Sequence, residues 1–448
     1  MARFIPADRH TAYLLPPTVE DWLPEGHLAR FVGEIVDKLD LSKLERAYAG
    51  RGSEAHHPAV LLGLLIYGYA TGVYSSRAIE RATYDSLAFR YLAANTHPDH
   101  DTLNTFRQRF LEDLKAVFLQ VLQIAAEMQL VKLGTISLDG TKVKANASKH
   151  HALSHGHAQA LTAQLKTEIA ELLRRAEQAE AVPDHVSLPD ELARREQRLA
   201  AIEAATAKIE ARAQERLAAE QAAYDAKRTR REAQRAAGQK PRGKEPQPPA
   251  GGPKASDQIN LTDEESRILP VSGGGFEQGY NAQVAVDAES LLIVAQDTVQ
   301  AANDKRQVEP LLAQVAALPS TLGRAERLLA DNGYFSAANV TACEQAAITP
   351  LIALGREAHT LTLADRLSLP PPPPETADTV TRMAHTLKTP QGRAQYGRRK
   401  CTVEPVFGII KHVMRFRQFL LRGLTKVRGE WTLVCLAWNV KRLAVLRR

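Results

Sequence analysis

The chain has 448 residues, 44% hydrophobic and 24% charged, which suits two or three soluble globular domains and excludes a disordered or fibrous class. Its formal charge of +7 is unevenly spread: Lys388 to Arg448 carries fifteen Lys and Arg against two acids, a net of +13, so the remainder sums to about −6. A basic segment of this kind is either the footprint of a polyanion binder or a solvated basic face.

Three cysteines (Cys343, Cys401, Cys435) lie far apart without metal-type spacing and predict free thiols in a reducing compartment. The opening Met1-Ala2-Arg3-Phe4-Ile5-Pro6 lacks an apolar signal core, and no run approaches membrane-spanning length, so a cytoplasmic protein without membrane partners is expected.

Residues 1–125 read as all-helical. Pro58 opens a run to Tyr69 that is apolar almost all round and therefore expected to be buried. Ser75 or Ser76 can cap a helix to Tyr84, and Asp99 or Asp101 a helix from Leu103 to Lys115. Short helices with brief turns suit a helix-turn-helix type of bundle, in which Arg107 and Arg109 either meet DNA or are plain surface charges.

Thr135 to Thr141 is a short β-type run carrying Asp139 before Gly140. An Asp there commonly caps a turn, but Lys142, Lys144 and Lys149 behind it favour a phosphate-facing site. His150, His151, His155 and His157 have no Cys or carboxylate partner set and do not read as a zinc site.

From Ala158 to Ala237 two amphipathic stretches, with Leu161, Leu165, Ile169 and Leu172 on one and Leu199, Ile202, Thr206 and Ile209 on the other, predict a long antiparallel helical hairpin. Val182 to Asp190 breaks it, and the Pro- and Gly-rich Gly238 to Pro253 reads as a flexible linker. Residues 150–257 are thus an insertion.

Strand signals return after Ile259. Tyr280 to Asp287 and Leu291 to Gln296 form a predicted hairpin about Asp287–Ser290. A helix over Asp304 to Ala317, a strand ending at Asp331, a helix over Ser336 to Ala346 and a strand over Ile348 to Leu354 follow. Pro370 to Pro374 is a stiff spacer. Beyond it, helical spacing puts Lys400, Glu404, Gly408 and Lys411 on one face and Val403, Val406, Phe407 and Ile410 on the apolar one. Read alone, Glu404 is a salt-bridge partner for its basic neighbours. A last helix runs from about Trp431 to Leu446.

If the Asp139 strand lies parallel to the Asp331 strand, the two aspartates meet at one sheet end and Glu404 reaches them from a packed helix. Three carboxylates so gathered need a divalent cation, and oxygen ligands favour Mg²⁺ or Mn²⁺.

The series Leu138-Asp139-Gly140-Thr141, Gln278-Gly279-Tyr280-Asn281-Ala282-Gln283, Ala330-Asp331-Asn332-Gly333-Tyr334-Phe335 and Val403-Glu404-Pro405-Val406-Phe407-Gly408 with Lys411 resembles the motifs of bacterial insertion-sequence transposases of the DDE type. Leu14-Leu15-Pro16-Pro17, Asp21-Trp22-Leu23-Pro24 and Pro98-Asp99-His100-Asp101-Thr102 resemble that family's N-terminal helical domain, and the helical insertion points to the insertion-sequence eleven-eighty-two group.

The resemblance implies an α/β RNase H-like catalytic core, a mixed five-stranded sheet with helices, after an all-α N-terminal domain and interrupted by the insertion. The implied domains are 1–125 for DNA binding, 126–149 and 258–448 for the split core, and 150–257 for the insertion. It implies metal-dependent cleavage at transposon ends and strand transfer into target DNA, with Asp139, Asp331 and Glu404 holding two Mg²⁺ ions that Mn²⁺ can replace.

Tyr396, Arg399 or Lys400, and Lys411 are the implied contacts to the terminal inverted repeats, with Lys142, Lys144, Arg107 and Arg109 as further DNA contacts. Lys400 holds the register where the family signature has Arg, so which basic residue takes that role is open. Asp287 and Asp304 read instead as a hairpin turn and a helix start, and Asp297 is also set aside as a ligand. A homodimer on DNA and a bacterial, nucleoid-associated location are expected. A domesticated, non-catalytic DNA-binding protein and an RNase H-like nuclease without strand transfer are the alternatives.

Overall fold

The computed structural model describes residues 18–48, 55–177, 187–241, 243–271, 274–355 and 371–447. Leu14–Pro17, the Val182–Pro183–Asp184 break and Pro370 lie outside the described residues. Two compact units are formed, one from residues 1–145, 269–275 and 279–448, the other from 146–268 with 276–278.

The first unit holds the helices α1 (Leu28–Asp37), α2 (Ser42–Arg46), α3 (Pro58–Thr71), α4 (Ser76–Asp85), α5 (Leu87–Leu92), α6 (His100–Arg109) and α7 (Leu114–Glu127). Pro58 occupies the first turn of α3, and the left-handed Gly72 (φ 86°) ends it. Ser75 and Asp99 cap α4 and α6 through the amides of Ala78 and Thr102.

As its unbroken apolar surface predicts, α3 is buried on all sides. Its cover includes the C-terminal helix, Leu424–Leu446, buried almost without interruption from Val427 to Val440. The N-terminal helices, expected as a separate domain over 1–125, therefore share a core with the C-terminal helix. A helix apolar all round needs cover from more than its sequence neighbours.

A buried polar knot ties that packing. Glu430 Oε1 accepts from Tyr69 Oη (2.9 Å), and Glu430 Oε2 accepts from the Leu420 and Leu421 amides (3.0 Å each). Arg107, itself buried, donates to Tyr69 Oη (3.2 Å), the Tyr74 carbonyl (3.3 Å) and Asn104 Oδ1 (3.1 Å). Arg107 is thus a buried structural cation of this core and not a plain surface charge. Arg109 donates to the Ala47 carbonyl and lies over the Tyr48 and Phe110 rings at 5.4 and 5.2 Å, so its guanidinium is also engaged within the unit.

The sheet of this unit is mixed. β1 (Leu133–Lys144) pairs antiparallel with β5 (Phe276–Asp287), which pairs antiparallel with β6 (Ile293–Val299). On its other edge β1 runs parallel to β7 (Gly323–Ala330), and β7 parallel to β8 (Thr349–Ile352). The short β4 (Arg267–Pro270) makes it six-stranded where five were expected.

The crossover from β6 to β7 carries α10 (Val308–Ala316), and α11 (Ala337–Gln345) joins β7 to β8. Then come α12 (Thr379–Lys388), α13 (Pro390–Gly397), α14 (Val403–His412) and α15 (Leu424–Leu446). On α15, buried Asn439 both accepts from the Ile293 amide and donates to its carbonyl (2.8 Å each), docking the helix on β6.

The second unit holds β2 (Ala152–Ser154), α8 (His155–Glu177), α9 (Leu188–Ala236) and β3 (Gln258–Asn260). The predicted hairpin is present, its seam built from Leu165, Ile202, Ala205 and Ile209 with Leu153 and Ile259 of the two-stranded β2–β3 sheet. At 49 residues, α9 is more than twice as long as α8. The Gly238–Pro253 stretch, expected as a free linker, runs back along α9. Arg231 donates to the Gly243 and Lys244 carbonyls, Arg235 pairs with Glu245, and Arg216 makes a two-toothed pair with Asp257 (2.8 and 2.9 Å).

No single helix among the described residues is long and apolar enough to cross a membrane. All three cysteines are free thiols, Cys343 and Cys435 buried and Cys401 exposed.

Candidate active site

Strand register sets the site. Ser137 of β1 lies opposite Leu329 of β7; two residues further on come Asp139 and, directly after the end of β7, Asp331. That level is the carboxyl end of β7, where parallel sheets offer room for ligands. Asp331 accepts from the Gly333 amide (2.8 Å) and so caps the short turn Asn332–Tyr334. Asp139 Oδ1 accepts from the Gly140 amide (2.8 Å).

Glu404 lies in the first turn of α14 with its side chain half exposed. The helix starts at Val403, and Lys400 belongs to the preceding turn Arg398–Cys401, so Lys400 does not share a helical face with Glu404. That turn instead aims Arg399 inward. Its guanidinium donates from Nη1 to Asp139 Oδ2 and from Nη2 to Glu404 Oε1, both at 3.1 Å. Lys400 is exposed. Between the two basic residues the sequence left open, Arg399 is the one at the carboxylates.

Burial pushes the Asp139 carboxyl up to about 6; the Gly140 amide and Arg399 oppose the rise, while Asp331 and Asp304 add to it. Lys142 is shifted down by burial against the pull of Asp304, Asp139 and Asp331. Burial also raises the half-buried Tyr396 phenol, with Arg399 as the opposing charge. Lys411, half-buried, donates to Thr141 Oγ1 and to the Lys142 carbonyl (3.2 Å). These bonds pin α14 to β1. Lys144 remains exposed.

Of the three acids set aside from sequence, two behave as structural groups. Asp287 accepts from the Ser290 amide (2.8 Å) and hydroxyl (2.7 Å) in the hairpin turn. Asp297 pairs with Arg428 at 2.9 Å.

Asp304 does not start a helix: α10 begins at Val308. Its Oδ1 accepts from Asn281 Nδ2 and Gln283 Nε2, both at 2.7 Å, with Lys142 Nζ at 3.8 Å. Gln283 in turn accepts from the buried Tyr334 hydroxyl. A methyl at Gly140 would sit 2.2 Å from Gln283 Nε2 and 2.8 Å from Asp304 Oδ1, and one at Gly333 would sit 3.5 Å from Asp304 Oδ2. Asp304 therefore stands between the two aspartate-bearing segments, and Gly140 is required by its closeness. The signal for it was in β5, where Asn281 and Gln283 recur at period two in a buried strand and need an acceptor on that face.

The gathered donors, Asp139, Asp331 and Glu404, are hard oxygens and suit Mg²⁺ or Mn²⁺ chemically. Among the described residues no three metal-ligating groups are close enough to hold an ion as they stand. Asp139 and Glu404 are joined by the guanidinium of Arg399. Of the four histidines set aside as zinc ligands, His151 is engaged with Thr262 Oγ1 (2.8 Å).

Residues 17–109 match a family model described as Transposase domain (DUF772), and residues 256–440 match one described as Transposase DDE domain. The first span takes in α1 to α6; the second includes Asp304, Asp331, Arg399 and Glu404. No curated protein and no solved structure matches the chain.

Proposed function

The chain belongs to the insertion-sequence transposases of the DDE type, and from that premise we infer that Asp139, Asp331 and Glu404 are its DDE acids on an RNase H-like core. The enzyme cleaves DNA and transfers strands, and the pairing of the two family matches fits the insertion-sequence eleven-eighty-two group. One observation carries the residue assignment: a single guanidinium, Arg399, spans Asp139 and Glu404, while Asp331 follows directly on the end of the strand that runs parallel beside Asp139.

Asp139, Asp331 and Glu404 would hold the divalent ions, Mg²⁺ or Mn²⁺. When bound, two such ions stabilise the charge that develops on the attacking and leaving oxygens of a phosphodiester displacement. The chain's own residues do the rest. Arg399 is a fixed counter-charge to two of the acids without an ion; with the ion bound, its fork is free to grip a phosphate of the transposon end in a bidentate way.

Lys142 is held beside the acids by Asp304, which places a second cation where a phosphate must enter. Tyr396, half-buried beside Arg399, borders that entry. Lys400 and Lys144, both exposed, are the outer backbone contacts. Pairing two ends calls for a homodimer on DNA, within a bacterial cytoplasm and its nucleoid.

Asp139→Asn tests this reading. Cleavage of a terminal-repeat duplex in Mg²⁺ should be abolished with end binding intact. Retained cleavage would remove Asp139 from the site.

A further inference from the structure

Along α8 and the first part of α9 most cations are tied to acids; Arg198 makes no ion pair among the described residues, and Arg212 bonds the Glu264 carbonyl. Arg174 and Arg175 pair with Glu171, Arg194 and Arg195 with Glu191, Lys166 with Glu203, Lys208 with Glu264 and Arg216 with Asp257. This is the ordinary economy of a solvated helix. Past Arg216 the pattern changes. The last part of α9 and the returning chain enclose a groove of about 820 Å³ lined by Lys227, Arg230, Arg231, Lys240 and Lys244, with Glu220 as its one acid.

Among the described residues Lys227, Arg230, Lys240 and Lys244 make no ion pair, and all four are exposed. Of the three acids within two residues of these cations, Glu232 pairs with Arg228 (3.4 Å), Glu245 with Arg235 and Arg231, and Asp225 accepts from Gln221 Nε2 (3.3 and 3.2 Å). Arg231 braces the groove from within by bonding the Gly243 and Lys244 carbonyls, which fixes the returning chain at its distance from α9. Holding four like charges around one concavity costs repulsion unless a polyanion neutralises them.

We propose that this groove is a second DNA-binding surface, built in the helical insertion, which grips the phosphate backbone of a duplex without reading its sequence. Five cations dominate the lining, point charges and forks suited to phosphate oxygens, with the amides Gln234, Gln239 and Gln247 among them. Each phosphate neutralised releases counterions, so the surface adds a salt-dependent term to affinity for any duplex. It needs DNA as the substrate but is independent of the carboxylate assignment: cleavage retained by Asp139→Asn would overturn that assignment and leave this readout unmoved.

The test uses the full chain and a duplex unrelated to the terminal repeats, read by fluorescence anisotropy over a salt series. A Lys227→Ala, Arg230→Ala, Lys240→Ala, Lys244→Ala variant should bind about tenfold or more weakly at low salt. Its salt slope should be shallower by roughly 3 to 4, at about 0.9 per phosphate contact.

An Arg174→Ala, Arg175→Ala variant, which removes paired cations of the same unit, should match the unsubstituted chain. On the unsubstituted chain, duplex should protect Lys227, Lys240 and Lys244 from a lysine-acylating reagent, as read by mass spectrometry. An unchanged salt slope, an equal loss in the Arg174/Arg175 control, or acylation indifferent to duplex would each overturn the proposal; the last outcome would return the groove to an acidic protein partner.

Discussion

Asp139→Asn should make the ion-free protein more stable at neutral pH. Burial raises the Asp139 carboxyl from its ordinary 3.8 to about 6, a gap of about 2 units at roughly 1.4 kcal/mol each. Between those two values the native state keeps a proton that the unfolded chain gives up, so stability falls as pH rises through that window. Above pH 6 the penalty of a buried, incompletely matched carboxylate is complete, about 3 kcal/mol. Asn keeps the shape and removes the charge, but weakens one arm of the Arg399 fork by about 1 kcal/mol.

The net gain should be about 1–3 kcal/mol at pH 7 and close to zero at pH 4, where Asp139 is protonated in the folded chain. Urea unfolding in a chelator at the two pH values reads this directly. A less stable Asn variant at pH 7, or an equal gain at both pH values, would refute the electrostatic picture of the site.

Arg107→Leu should cost about 3–5 kcal/mol, because it leaves buried Glu430 and Tyr69 without their cation; thermal melts should show the loss while duplex affinity per folded molecule stays unchanged. Asp304→Asn keeps an acceptor for Asn281 and Gln283 but releases Lys142, and should weaken Mn²⁺ binding by about 10–100-fold. Calorimetric titration checks it, and unaltered Mn²⁺ affinity would make Asp304 only a scaffold residue.

The sheet around the site could be read in advance because its elements keep strict order: β1 with Asp139, the β5–β6 hairpin, α10, then β7 before Asp331. A parallel neighbour for β1 follows from that crossover. The roles of the cations could not be read the same way. Arg107, Arg109 and Lys411 are basic residues near predicted DNA-binding elements, and only packing decides that they bond Tyr69, Ala47 and Thr141.

Asp304 was missed because its partners, Asn281 and Gln283, lie more than twenty residues away on a strand. Composition misled over Gly238–Pro253 in the same way, since prolines and glycines say nothing of Arg231 and Arg216 waiting on α9. The choice between Arg399 and Lys400 turned on where a short turn ends and α14 begins, a boundary of one or two residues that periodicity does not resolve.

Hydroxyl-radical mapping tests whether Asp139, Asp331 and Glu404 share the divalent ions. Iron(II) substituted for Mg²⁺, with peroxide and ascorbate, generates hydroxyl radicals at the ion and cuts the nearby backbone. Cuts should fall at three places, around residues 139, 331 and 404, and excess Mg²⁺ should suppress all of them together. Cuts confined to one or two of these segments, or placed elsewhere in the chain, would contradict the account.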